Sequence, residues 1–266
     1  MKIGLALSGG GARGFAHLGV LKALEEANVK IDLLSGASAG SMAAAFYSHG
    51  YGPEEILDIF ESTSLLKLVW PAFSFTGLLN IQKTESVYKK YLKEDSFEKA
   101  NPQLFISTTN LNEGKAEMFS SGSLSKAVMA SSCIPFIFDP VKIGDNFYVD
   151  GGVLNNLPTE VLKEHGADVI IGVNVAPVVR EPELSGPKKM IERVSVLALS
   201  ANVAASSQLC DFYIKPAELR SYGTFDFKKS KEIYNIGYEY TLHELELLDK
   251  NNKLKKLLSK EEKKEA

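Results

Sequence analysis

Lys2-Ile3-Gly4-Leu5-Ala6-Leu7-Ser8-Gly9-Gly10-Gly11-Ala12-Arg13-Gly14 reads as a short apolar strand that runs into a cluster of glycines. A helical pattern follows to about Asn28, with Val20, Leu21 and Leu24 on one stripe, Ala16 and Ala27 flanking it, and Lys22, Glu25 and Glu26 opposite. Strand, glycine turn and helix in that order open an α/β unit. Working outward, Ile31 to Leu34 is a second short strand and Ala39 to His49 a helix of small residues. Pro53-Glu54-Glu55 places a first-turn proline and two carboxylates where a helix start favours them.

The same alternation continues downstream. Gln103 to Thr109 is a strand, Asn112-Glu113-Gly114 a turn, and Lys115 to Ser120 the returning strand. Ser123 caps a helix through Ser132, Val141 to Val149 forms a hairpin about Gly144-Asp145-Asn146, and Val169 to Val173 suits a strand buried on both faces. A helix over Lys188 to Leu209, a strand over Asp211 to Lys215 and a helix over Lys228 to Leu248 complete the pattern. Alternation of this kind predicts a mostly parallel central sheet flanked by helices.

Composition agrees and excludes several classes. A 45% hydrophobic and 24% charged chain of 266 residues is neither disordered nor fibrous. A net charge of −3 offers no general attraction to nucleic acid. Cys133 and Cys210 make no disulfide framework and no zinc spacing, and no apolar run is long enough to span a bilayer. Met1 runs directly into the first strand, which leaves no room for a cleavable leader, so a reducing, cytoplasmic setting is expected. The expected division is one domain over 1–249 and a tail over 250–266, whose seven lysines against three glutamates give it about +4. Leu65 to Leu79 is apolar, aromatic and broken by Trp70-Pro71, so it is not one regular helix. Its Leu65 to Phe75 part has two readings, a cover over the entrance for an apolar substrate or a loop folded over the core.

The glycine loop has two readings. Gly9 to Gly14 matches G-x-G-x-x-G between strand and helix, the spacing of a dinucleotide site. Backbone N–H groups gathered at a helix start hold any anion, a pyrophosphate or the oxyanion of an attacked carbonyl. A nucleotide site needs an acidic residue at the end of the second strand, whereas Asp32 stands at its beginning. Anion stabilisation during acyl chemistry is therefore preferred.

Gly36-Ala37-Ser38-Ala39-Gly40 is a G-x-S-x-G run between strand and helix, the setting of a nucleophile elbow. A serine hydroxyl needs a base. His17 lies on the apolar stripe of the first helix, His49 and His165 end helices, and His243 sits among charges, so each reads as structural. A carboxylate remains. Asp150-Gly151-Gly152 follows an apolar strand, and its aspartate can be a turn residue or a base aimed into a site.

Glycine loop, serine pentapeptide and D-G-G, in that order, resemble the signature of the patatin-like phospholipase family, and Ser131-Ser132-Cys133-Ile134-Pro135-Phe136 resembles its segment before the aspartate strand. The resemblance covers about residues 1 to 175, and in size the chain is similar to compact bacterial members. It implies a three-layer α/β sandwich with a nucleophile elbow, and a Ser38–Asp150 dyad in which no histidine is required. It further implies an oxyanion loop over Gly9, Gly10, Gly11, Ala12, Arg13 and Gly14, with the N–H groups of Gly10, Gly11 and Ala12 as donors and Arg13 positioning the loop. Gly36 and Gly40 make room at the elbow. The implied reaction is hydrolysis of lipid or lipid-like esters, of phospholipase A or lysophospholipase type, with no metal or organic cofactor and with peripheral contact at a membrane. A regulatory or lipid-binding protein on the same fold, and an acyltransferase, are the alternatives.

Overall fold

The computed structural model describes residues 1–63, 81–135, 137–177, isolated positions between 185 and 197, and 201–250. In chain order the elements are β1 (Ile3–Leu7), α1 (Phe15–Glu26), β2 (Leu33–Ala37), α2 (Ala39–Ser48), α3 (Pro53–Ser62) and α4 (Glu85–Tyr91). There follow β3 (Gln103–Asn110), β4 (Lys115–Phe119), α5 (Leu124–Ser131), β5 (Val141–Ile143), β6 (Asn146–Asp150), α6 (Gly152–Asn155) and α7 (Glu160–Glu164). The last are β7 (Val169–Val173), α8 (Val203–Ser207), β8 (Phe212–Ile214) and α9 (Ser230–Lys250).

The strands form one sheet in the order β5-β6-β3-β2-β1-β7-β8, with β4 also on β3. The five strands β3, β2, β1, β7 and β8 run parallel, and β4, β5 and β6 are antiparallel additions at one side. β1 lies where the strand order reverses, with β2 on one side and β7 on the other. Crevices at the carboxyl ends of strands beside such a reversal are where open α/β sheets place ligands.

Side-chain alternation divides the interior into two cores. Leu5, Leu7, Leu34, Ile106, Ile171 and Val173 point to the larger core, built with α1, α2 and α3. Ala6, Leu33, Phe105 and Ile170, one residue out of step, point to the smaller core with Val161, Leu162 and Val203 of α7 and α8. The result is three layers, as expected. α1 is buried on nearly every side rather than along one stripe, because it lies between the sheet and α9.

Two boundaries differ from expectation. β2 begins at Leu33, not Ile31, and runs on through Ala37. Asp32 stands at the amino end of β2, where its Oδ2 accepts the Ile3 N–H at 2.8 Å and its own N–H donates to the Ile3 carbonyl at 2.8 Å. That also places Asp32 at the far end of β2 from the glycine loop. Of the helix expected over Lys188 to Leu209, the described positions Met190, Arg193, Val194, Leu197 and Ala201 are helical, a turn at Asn202 interrupts it, and Val203–Ser207 is helical again. Leu65 to Leu79, with Trp70, and the tail beyond Lys250 lie outside the described residues. Among the described residues no helix is long and apolar enough to cross a membrane.

Candidate active site

β2 ends at Ala37, and the chain reverses at Ser38 into α2 with φ 51° and ψ −123°. Serine rarely adopts this conformation, and its persistence needs surroundings that hold it. The flanking glycines supply them. A Cβ on Gly36 would lie 2.6 Å from the Gly40 carbonyl carbon, and one on Gly40 would lie 2.2 Å from the Leu7 carbonyl oxygen. The turn therefore closes only with glycine at both positions. The Ser38 N–H donates to Ser131 Oγ at 2.9 Å, which fixes the turn from α5.

Asp150 is the last residue of β6 and is 2% exposed. Ser38 Oγ donates to Asp150 Oδ2 at 2.7 Å, and the Gly152 N–H donates to Asp150 Oδ1 at 2.8 Å. The Asp150 N–H is held by the Cys133 carbonyl at 2.9 Å, so the segment from Ser131 to Cys133 grips both partners. Gly151 is required by close approach: a Cβ there would lie 2.0 Å from the Ser107 carbonyl oxygen of β3. Burial raises the Asp150 pKa to about 6, against the opposing pull of the bonds from Ser38 and Gly152.

The glycine loop crosses above the elbow. Its N–H groups are not equivalent. Gly9 donates to Asn156, and Ala12 donates to the Thr224 carbonyl at 2.8 Å. Among the described residues no acceptor takes the N–H of Gly10 or Gly11. The donor set expected from Gly10, Gly11 and Ala12 thus loses Ala12, because the chain around Thr224 folds onto the loop. Arg13 is buried, and its Nε donates to the Tyr222 carbonyl at 2.7 Å. Burial lowers its pKa, partly offset by Asp226. Arg13 therefore anchors the covering segment Tyr222–Phe227 rather than facing Ser38 directly. Gly14 packs on α2: a Cβ there would lie 2.5 Å from that of Ala39.

The four histidines occupy structural positions. His17 is fully buried, and its Nε2 must carry the proton, because it donates to the Ser8 carbonyl at 2.7 Å. Burial lowers its pKa to about 4. His49 Nδ1 bonds the Ala45 carbonyl at 3.0 Å and His165 Nδ1 that of Val161 at 2.8 Å, both one turn back in their helices. His243 lies 3.9 Å from Glu244 on the surface.

A cleft of about 600 Å³, its open mouth included, leads to Ser38. Its walls are mainly apolar: Phe15 of α1, Met42 of α2, Phe60 of α3, Ile134, and Phe225 and Phe227 of the covering segment. The sequence reading named none of Asn156, Asn202 or Thr224 as site residues. Asn156 follows the D-G-G run by four residues, and that proximity is the one available signal.

A family model described as patatin-like phospholipase matches residues 5–163, and the chain belongs to this family. A lysophospholipase NTE1 of Kluyveromyces lactis is 28% identical over 95% of this chain and 20% of its own length. That of Coccidioides immitis is 31% identical over 90% of this chain and 17% of its own. The chain thus spans about a fifth of the length of these curated relatives. The crystal structure of VipD from Legionella pneumophila shares the fold, with a TM-score of 0.51 and 16% identity over 88% of this chain and 66% of that one.

Proposed function

We propose that this protein is a serine acyl hydrolase that cleaves carboxylic esters of lipids, in the manner of a phospholipase A or lysophospholipase, through Ser38 and Asp150. The observation that carries the proposal is the 2.7 Å bond from Ser38 Oγ to Asp150 Oδ2, made at a strained elbow beneath the glycine loop. Family membership and the lysophospholipase relatives support the reaction class. The apolar cleft supports an acyl chain as the group bound beside the serine.

In this reading Asp150 takes the hydroxyl proton as Ser38 Oγ attacks the acyl carbonyl. The negative charge that develops on the carbonyl oxygen meets the N–H groups of Gly10 and Gly11, each such donor contributing about 3–4 kcal/mol in a dry site. Protonated Asp150 then passes its proton to the departing alcohol, leaving an acyl ester on Ser38. Water, deprotonated by Asp150, attacks that ester; the acid leaves and Ser38 Oγ regains its proton. A carboxylate with a pKa of about 6 holds a proton better than an exposed aspartate and is still largely ionised at neutral pH. The reading needs no metal or organic cofactor. A place in the cytoplasm with contact at a membrane surface belongs to the same proposal.

The test is activity on short p-nitrophenyl esters, with fluorophosphonate labelling of Ser38 as a second readout. Ser38→Ala and Asp150→Asn should each lower kcat by about 1,000-fold or more, and the double variant should be no worse than either, because the pair acts as a unit. Substantial activity in folded Asp150→Asn refutes the dyad. An unlabelled wild-type serine would favour a binding or regulatory protein.

A further inference from the structure

We infer that Asn156 is a positioning residue that ties the oxyanion loop to the loop carrying the base, an inference that rests on the hydrolase reading above. Asn156 is 1% exposed. Its Oδ1 accepts the Gly9 N–H at 3.0 Å, and its backbone carbonyl accepts the same N–H at 3.3 Å. The position a Gly9 Cβ would occupy is 2.5 Å from Asn156 Oδ1 and 2.9 Å from Ser38 Cβ. The amide is therefore wedged where the glycine loop meets the nucleophile.

From the other side Asn156 is held by Asn202. Asn202 Oδ1 accepts the Asn156 N–H at 2.8 Å, and Asn202 Nδ2 donates to the Gly152 carbonyl at 3.1 Å. Gly152 is the residue whose N–H bonds Asp150 Oδ1. One chain of hydrogen bonds thus runs from Gly9 through Asn156, Asn202 and Gly152 to Asp150. Gly9 immediately precedes the two N–H groups free to meet an oxyanion. Its placement sets their aim, and Asp150 sets the aim of Ser38. The two asparagines make those placements interdependent.

A second feature separates this role from plain packing. Asn156 Nδ2 is buried with no hydrogen-bond partner among the described residues. An unpaired buried amide donor destabilises a fold, so its presence asks for a reason other than stability. Leucine has the same branched skeleton, with bulkier methyl ends, and carries no polar side-chain atom of its own. It cannot accept the Gly9 N–H through its side chain, and that is the function we assign to Oδ1.

The experiment compares full-length Asn156→Leu, Asn156→Asp and Asn202→Ala with the wild type on p-nitrophenyl butyrate, with Ser38→Ala in parallel and thermal melting of each. Asn156→Leu should lose about 100-fold in kcat with KM changed by less than about threefold, the effect of an ångström-scale misplacement of catalytic groups. With kcat referred to folded protein at a temperature well below the melting transition, the acid limb of its rate should keep the wild-type midpoint, because Asp150 retains its own partners. Asn156→Asp keeps an acceptor for Gly9, so kcat should return to within about tenfold of the wild type. Its acid limb should move to higher pH, since a second carboxylate opposes ionisation of Asp150. Folded Asn156→Leu with kcat within about threefold of the wild type overturns the role, as does a loss of kcat that only tracks a loss of folded protein. Should Asn156→Leu fail to fold, Asn202→Ala decides: about a tenfold fall in kcat supports the brace, and no fall overturns it. Activity surviving in Ser38→Ala would instead refute the hydrolase reading itself, which keeps the two failures apart.

Discussion

Replacing Asp150 by asparagine should stabilise the protein at neutral pH while removing its activity. The carboxyl is 2% exposed, and burial lifts its pKa from 3.8 to about 6. In the unfolded chain the group titrates at its ordinary value. Between about pH 4 and pH 6 the folded state therefore holds a proton that the unfolded state has released, and stability falls as pH rises through that window. Above about pH 6 the loss is complete. One pKa unit corresponds to about 1.4 kcal/mol, so the ionised Asp150 costs the fold about 3 kcal/mol at pH 8. Asparagine carries no charge to desolvate. Its Oδ1 can still accept the Gly152 N–H, and its Nδ2 can donate to Ser38 Oγ, so neither contact is orphaned.

Thermal melts of the wild type and Asp150→Asn at pH 8 and pH 4 test this directly. For a chain of this size about 3 kcal/mol corresponds to roughly 6 °C in Tm. We expect the variant to melt higher by that order at pH 8 and the gap to close towards pH 4, where the wild-type carboxyl is protonated in the folded state. A variant that melts lower at pH 8, or a gap independent of pH, would refute the argument that Asp150 is held ionised against its surroundings. The result bears on function as well as on stability. A site that lowers stability in the form it uses is the pattern expected of a catalytic carboxylate, whereas a structural turn aspartate gains nothing from burial.

Two further outcomes follow from the same geometry. The wild-type kcat/KM should fall about tenfold per pH unit below a midpoint near 6 and stay level from there to pH 8, because Asp150 must be ionised to accept the Ser38 proton; an acid limb near pH 4 would point to an exposed carboxylate instead. Phe227→Ala opens the apolar wall beside Ser38 and should raise the ratio of activity on p-nitrophenyl octanoate to that on the butyrate by about tenfold, the effect of burying about two of the four extra methylenes at about 0.8 kcal/mol each. An unchanged ratio would remove the covering segment from substrate selection.

The features legible in the sequence are those whose cause is local. β1, the glycine loop and α1 could be read because an apolar run, four glycines and a helical stripe follow one another without interruption. The elbow could be read because its tight reversal needs glycine on both sides of Ser38, which leaves a G-x-S-x-G mark in the sequence even where the crowding atom, the Leu7 carbonyl, is distant. β2 runs Leu33–Ala37 where Ile31 to Leu34 is expected, because its second half, Ser35-Gly36-Ala37, carries no apolar strand signal. Asp150 is a harder case. Ser38 and Asp150 lie 112 residues apart, and D-G-G alone fits a turn aspartate as well as a buried base; the order of the three motifs is what favours the second reading.

What escaped was everything that depends on a return of the chain. Gly9 and Asn156 are separated by 147 residues, Asn156 and Asn202 by 46, and the Ala12 N–H is taken by a backbone carbonyl, which has no sequence signature at all. The Ala12 N–H is therefore already engaged, whereas those of Gly10 and Gly11 have no acceptor among the described residues. A glycine-rich loop announces that N–H groups converge, because glycine permits the geometry. It does not announce which of them are already occupied. Occupancy is set by the segment around Thr224, which lies outside the stretch matched by the family model, and by an asparagine whose partners come from two other parts of the chain. The proposed reactive groups, Ser38 and Asp150, therefore sit in short motifs. The number and aim of its free donors are encoded by tertiary contacts, and substitutions at Asn156, Asn202 and Thr224 should tune the rate without altering a residue of any motif.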